Sequence, residues 1–76
     1  MFWEGDTVVL KKPVPGMPVP VGAEGLVFGV FGFSRPPAYD VDFFDENHES
    51  LGQFRIFGDE NLSLKTSIKD QLEGLK

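Results

Sequence analysis

The sequence contains no cysteine and only one histidine among its 76 residues. Without cysteine, the chain can form no disulfide and offers no thiolate to a metal. The single histidine, His48, also argues against a transition-metal site, because such sites normally combine several imidazole or thiolate ligands. We therefore expect neither a disulfide nor a bound metal, and the lack of cysteine favours a reducing compartment.

Basic residues are few and scattered. Seven lysines and arginines are outnumbered by twelve aspartates and glutamates, which gives a formal net charge of −5. Proteins that bind nucleic acid gain much of their affinity from phosphate contacts and normally carry a basic patch. Here the acidic residues cluster instead, at Asp40, Asp42, Asp45, Glu46 and Glu49. The sequence therefore predicts that the protein binds neither nucleic acid nor an anionic membrane surface.

Long apolar runs are also missing. No stretch approaches the ~20 apolar residues that a membrane-spanning helix needs. The first six residues, MFWEGD, lack the basic region and apolar run of a secretory signal. These observations predict a cytoplasmic protein. Because a chain of this length buries only about 60% of its unfolded surface, we expect one domain with a small core.

The segments that are present are typical of short β-strands separated by turns. In the third, Tyr39, Val41 and Phe43 alternate with aspartates, which predicts one buried and one solvated face. The second contains three glycines, which suggest a bulge or a sharp bend, and its pattern leaves open which face is inside. The five predicted strands are DTVVLK (6–11), EGLVFGVFG (24–32), AYDVDFF (38–44), SLGQFRIF (50–57) and LSLK (62–65).

Residues 13–22, PVPGMPVPVG, contain four prolines and cannot form a central strand, because proline donates no ladder hydrogen bond. We predict a stiff loop between the first two strands. Five short strands, a long first loop and a one-turn connection at 58–61 are typical of a small SH3-like barrel, which we assign to residues 1–65. Residues 66–76 have helical periodicity and predict a short C-terminal helix that docks on the barrel or on another chain.

No constellation in the sequence indicates catalysis. There is no Ser/His/Asp arrangement at recognisable spacing, and no glycine-rich phosphate loop follows a strand and opens a helix. We therefore predict no catalytic residue and no cofactor. Pro15 and Pro18 match a PxxP ligand motif, and Asp45, Asn47 and Glu49 alternate like the start of a calcium loop. A structural loop and a solvated turn explain these two patterns more simply.

The aromatic content exceeds what a small core can hold. The chain has eight phenylalanines, one tryptophan and one tyrosine. We expect the core to hold Tyr39, Phe43, Phe54 and one of Phe28 or Phe31. Alternation then turns other aromatic and arginine side chains outward, and such residues are enriched at protein interfaces. Either the C-terminal helix covers them or they form a partner-binding surface, whose predicted residues are Phe33, Arg35, Phe44, Arg55 and Phe57.

Three motifs carry a resemblance to a known family. GDTVVL (5–10), VGAEGLV (21–27) and AYDVDF (38–43), with the closing Leu62, resemble a family of small bacterial domains of unknown function. Its members share V-x-L, G-x-x-G-x-V and Y-x-V-x-F motifs. The resemblance covers about residues 5–65 and implies an SH3-like barrel without implying an activity. It also suggests a gene of the kind found on mobile elements or near toxin–immunity loci.

A second resemblance names an alternative function. Residues 5–8, GDTV, and 54–57, FRIF, are similar to the opening and the pore-lining stretch of type II plasmid-borne dihydrofolate reductases, which are also SH3-like barrels. This resemblance implies a small-molecule-binding oligomer with Phe57 at its interface. Arg55 and Phe57 replace the glutamine and tyrosine that contact ligands in that family. Our first prediction is therefore a non-enzymatic module that binds a protein partner or forms a homo-oligomer.

Overall fold

The computed structural model describes residues 1–69, which form a single antiparallel sheet in an all-β fold. The strand order is β4-β3-β2-β1-β5, so β4 and β5 lie at its two ends. Within residues 1–69, no helix is both long and apolar enough to cross a membrane. The elements are β1 (Thr7–Leu10), β2 (Glu24–Phe31), β3 (Ala38–Phe44), β4 (Ser50–Phe57), the 3₁₀ turn η1 (Asp59–Asn61) and β5 (Leu62–Thr66).

The alternation predicted for β3 is confirmed. Tyr39, Val41 and Phe43 are fully buried, whereas Asp40 and Asp42 lie half-buried on the opposite face. This arrangement results from the two-residue period of a strand, which turns successive side chains to opposite faces. We call the face that carries Asp40 and Asp42 the outer face of the sheet.

The third aromatic ring of the core belongs to a residue that was not predicted to be buried. Phe2, which precedes every strand, is 8% exposed and packs edge-on against Tyr39, with 5.3 Å between the ring centroids. The expectation that Phe28 or Phe31 fills the core is wrong. Phe28 is 40% exposed and Phe31 is half-buried outside the core cluster. The physical reason is a register shift between Val27 and Gly29, which resets the alternation along β2.

The proline-rich segment connects β1 to β2, as predicted. Its four prolines are exposed, while Val19 is 6% exposed and joins the core. Val14 and Met17 are half-buried and pack against that core. The loop therefore contributes apolar side chains to the interior and keeps the prolines, which donate no ladder hydrogen bond, on the surface.

Asp6 joins the two ends of the described chain. It is 2% exposed, and its carboxylate accepts hydrogen bonds from the backbone N–H groups of Trp3, at 2.9 Å, and Ile68, at 2.8 Å. A Cβ added at Gly5 would lie only 3.1 Å from the Ile68 side chain. The segment after β5 thus docks on the N-terminal turn of the same chain as far as it is described.

The predicted C-terminal helix, residues 66–76, lies largely outside the described residues. Thr66 still belongs to β5. Ser67 Oγ accepts a hydrogen bond from the backbone N–H of Lys69 at 3.2 Å, which is a contact that a helix N-cap residue makes.

Candidate functional site

Arg55 is the centre of a polar and aromatic contact on the outer face. Its guanidinium carbon lies 4.3 Å from the centroid of the Phe31 ring. Nε donates to Asp40 Oδ1 at 2.9 Å and Nη2 donates to Asp40 Oδ2 at 3.3 Å. The strand register produces this ion pair because it places Arg55 directly opposite Asp40. The hydrogen bond and the charge of Asp40 raise the pKa of Arg55, so the guanidinium remains charged.

Phe57 lies on the same face and extends this contact into a surface. Ala38 pairs with Phe31 on one side and with Phe57 on the other. The alanine side chain is short, so two larger rings flank a low point in the sheet. Phe57 is 54% exposed. We call Phe31, Arg55 and Phe57 the aromatic–arginine cluster.

The structure brings together only part of the predicted partner-binding surface. Arg55 and Phe57 both belong to the aromatic–arginine cluster. Phe33, which is 95% exposed, and Arg35 lie in the connection between β2 and β3, which leaves the sheet at the end where Phe31 lies. These residues therefore share one end of the sheet with the cluster.

Phe44 lies at the other end of β3. Ala38 and Phe44 bound that strand and are separated by about 20 Å at the usual rise per residue. Alternation along a strand predicts which face a side chain occupies and gives no information on which end of the sheet its neighbours occupy. The exposure of Phe31 on the outer face could not be predicted from its sequence, because the position of the bulge in β2 sets the face on which Phe31 lies.

Phe44 belongs to a separate groove of about 680 Å³ between the end of the proline-rich loop and the β3–β4 turn. Val21, Ala23 and Leu51 contribute apolar surface to it. The ring of Phe44 lies 5.7 Å from that of His48, and Lys65 forms an ion pair with Glu24 at the rim. This groove is larger than the one beside Arg55, whose volume is about 380 Å³.

The first carboxylate of the acidic β3–β4 turn, that of Asp45, accepts hydrogen bonds from backbone groups of the same turn. Asp45 Oδ1 accepts hydrogen bonds from the backbone N–H groups of Asn47, at 2.8 Å, and Glu49, at 3.0 Å. This arrangement is an Asx-type turn, which explains the acidic residue at that position without a metal. Across residues 1–69, no three histidine, cysteine, aspartate or glutamate side chains are grouped so that they could hold a metal ion.

A buried tyrosine organises the end of the sheet near η1. The hydroxyl of Tyr39 donates to Asp59 Oδ1 at 2.5 Å and accepts from the backbone N–H of Phe2 at 3.3 Å. Asp59 Oδ2 lies 3.0 Å from the amino group of Met1. Burial, reinforced by the hydrogen bond to Asp59, raises the pKa of Tyr39 to about 12. The hydrogen bond from Tyr39 lowers the pKa of Asp59. At neutral pH, Tyr39 is therefore a protonated donor and not a general base.

Tyr39 is the only tyrosine in the chain, so its ionisation is directly measurable. The pKa of Tyr39 is higher in the folded state, at about 12, than in the unfolded state, at about 10. The resulting contribution to stability is fully present below pH 10 and is lost as the pH rises toward 12. In an ultraviolet absorbance titration, we expect roughly a tenth of Tyr39 to be ionised at pH 11 in the folded protein, against most of it in the unfolded protein. Tyr39→Phe provides the blank. Half-ionisation near pH 10 in the folded state would contradict this assignment.

Comparisons with known proteins identify no relative of this chain. No family model, no curated protein and no solved structure matches it.

Proposed function

We propose that this protein is a non-enzymatic, cytoplasmic module that binds protein through the aromatic–arginine cluster on a small SH3-like barrel. The strand order β4-β3-β2-β1-β5, the long β1–β2 loop and the 3₁₀ turn between β4 and β5 support the SH3-like assignment. The partner is another protein chain, and a second copy of the same chain is included in that class.

The exposure of Phe57 beside a stacked arginine carries the proposal. Aromatic residues and arginine are enriched among the interface residues that contribute most to binding energy. The same end of the sheet exposes Phe33, and Phe28 is 40% exposed beside the groove that Arg55 lines. A concentration of exposed aromatic surface on a protein this small is a mark of an interaction site.

Arg55 is held in position before a partner arrives. Asp40 fixes the guanidinium through two hydrogen bonds, and Phe31 lies against one of its faces. A side chain ordered in advance loses less conformational entropy when it binds. The opposite face of the guanidinium stays available to a partner, because the Arg55 side chain is 51% exposed.

Phe57→Ser tests the proposal with little disturbance of the fold. Because Phe57 is 54% exposed, we expect the free energy of unfolding to change by less than about 1 kcal/mol. We expect affinity for the protein's partner, or for itself, to fall by at least roughly tenfold, since exposed aromatic anchors contribute about 2 kcal/mol or more. Light scattering after size exclusion measures self-association, and affinity capture followed by mass spectrometry identifies a different partner.

Val21→Ser is the matched control. Val21 is 53% exposed and lies in the Phe44 groove, away from the aromatic–arginine cluster. The Val21→Ser variant should retain every interaction that the Phe57→Ser variant loses. If Phe57→Ser leaves assembly and all partner interactions unchanged, the cluster is not the binding surface.

A further inference from the structure

The outer edge of β4 presents a regular row of backbone groups. β4 is the end strand of the sheet, so no other strand within residues 1–69 pairs with this edge. Gly58 N donates to Pro37 O at 2.8 Å, which directs the backbone groups of Gly58 toward β3. Because this direction alternates along an antiparallel strand, the N–H and C=O groups of Gln53, Arg55 and Phe57 point away from β3. The C=O of Phe57 accepts a hydrogen bond from Asn61 Nδ2 at 3.1 Å, so the row that is open for pairing consists of both groups of Gln53 and Arg55 and the N–H of Phe57.

We propose that β4 pairs antiparallel with β4 of a second copy of this chain, in a register centred on Phe54. This inference rests on the proposed function, because it names the partner as the protein itself. In this register Gln53 lies opposite the partner's Arg55, and the two-fold symmetry repeats the pair on the other side. The two sheets become one ten-stranded sheet whose outer faces are continuous, so the two aromatic–arginine clusters lie on the same side.

The sequence of β4 is complementary to itself in this register. Phe54 lies opposite the partner's Phe54 at the position where antiparallel strands approach most closely. Phe54 is half-buried in the single chain, so its remaining surface is available for an aromatic pair across the edge. On the outer face, an uncharged amide lies opposite each guanidinium, which already has Asp40 as its counter-ion.

Two registers shifted toward the C-terminal end of β4 are less favourable. A register centred on Arg55 places two guanidinium groups directly opposite each other, and like charges in that position are destabilising. A register centred on Ile56 pairs only a short stretch, because Gly58, with φ 87°, ends the strand. β4 also has no carboxylate that could bind a basic partner, because Arg55 is the only charged residue in this strand. A second copy is therefore the occupant that this edge fits best.

Two substitutions at Gln53 test the register, because the dimer and the single chain respond to them in opposite ways. Within the chain, Gln53 lies opposite Asp42 on β3. Gln53→Lys therefore favours the folded monomer and also reduces the net charge of −5 that opposes association. Gln53→Glu disfavours the folded monomer and increases the net negative charge that opposes association. At the proposed interface, however, Gln53→Glu faces the partner's Arg55 twice, whereas Gln53→Lys places like charges opposite each other twice.

We expect sedimentation equilibrium to give a dimer that Gln53→Glu tightens and Gln53→Lys weakens, each by roughly three- to tenfold. We also expect the unsubstituted dimer to tighten as salt is added, because two chains of charge −5 repel each other. The opposite order of the two variants, equal weakening by both, or a monomer under all conditions would overturn the inference. In each of those cases, the proposed function would still be supported if Phe57→Ser abolished the binding of a different captured protein.

Discussion

Replacing Asp6 with alanine should destabilise the fold by about 3 kcal/mol, which is a large share of the roughly 5 kcal/mol expected for a domain of this size. The carboxylate is 2% exposed and is the acceptor for the backbone N–H groups of Trp3 and Ile68. Without it, these two N–H groups lose their acceptor inside the protein, and each such loss costs about 1–3 kcal/mol. Urea unfolding followed by the fluorescence of Trp3 measures the change.

Two further variants make this prediction specific to the hydrogen bonds of Asp6. Asp6→Asn keeps the size of the side chain but cannot accept from both N–H groups equally, so we expect an intermediate loss of stability. Asp42→Ala removes a half-buried carboxylate whose partner is the exposed Ser50 hydroxyl, and should cost less than about 1 kcal/mol. Equal stability of Asp6→Ala and Asp42→Ala would mean that Asp6 does not hold the two ends together.

Gly25→Ala should cost about 3 kcal/mol through overpacking. A Cβ at this position would lie closer to Val41 Cγ1 than two carbon atoms can approach, and 3.0 Å from Phe43 Cδ1. Both neighbours are fully buried core residues. Gly25 also pairs with Val8 on one side and Phe43 on the other, so β2 has ladders on both edges that resist a shift of its backbone.

Gly32→Ala is the matched control for that substitution. Its added Cβ would meet only the terminal methyl of Met1, at 3.0 Å, and a flexible side-chain end can move away. We expect its urea midpoint to stay close to that of the unsubstituted protein. If Gly25→Ala proves equally harmless, the close packing of β2 against β3 at Gly25 is wrong.

The positions of the strands follow from local sequence. The predicted third and fourth strands coincide with the observed β3 and β4, Ala38–Phe44 and Ser50–Phe57. The first, second and fifth differ from the observed strands only at their ends. These segments are β-branched or aromatic and are separated by glycine, proline, asparagine or aspartate, so propensity and turn chemistry agree. The predicted one-turn connection is likewise observed as η1.

The burial of Asp6 could not be predicted in the same way. Its distant partner, Ile68, is 62 residues away along the chain, and a lone aspartate after a glycine usually indicates a solvated turn. The glycines of the second strand predicted a bulge or a sharp bend, but its position between Val27 and Gly29 could not be predicted, because one extra residue changes the phase of every later side chain without changing composition. Both features depend on long-range contacts that a local pattern does not contain.

The candidate site was predictable in part for the same reason. Alternation placed Arg55 and Phe57 on the outer face, where both are exposed. It could not reveal that Phe31 supports Arg55, since that contact depends on the register of three strands. It also grouped Phe44 with Phe57, although strand geometry places Phe44 at the other end of the sheet.

The most direct test of the central claim is hydroxyl-radical footprinting of the protein alone at high dilution and in the presence of whatever protein it binds, a second copy included. We predict that oxidation of Phe57 falls severalfold in the bound state, while oxidation of Val21 stays constant. Equal oxidation of Phe57 in both states would contradict the account of the aromatic–arginine cluster as a protein-binding surface.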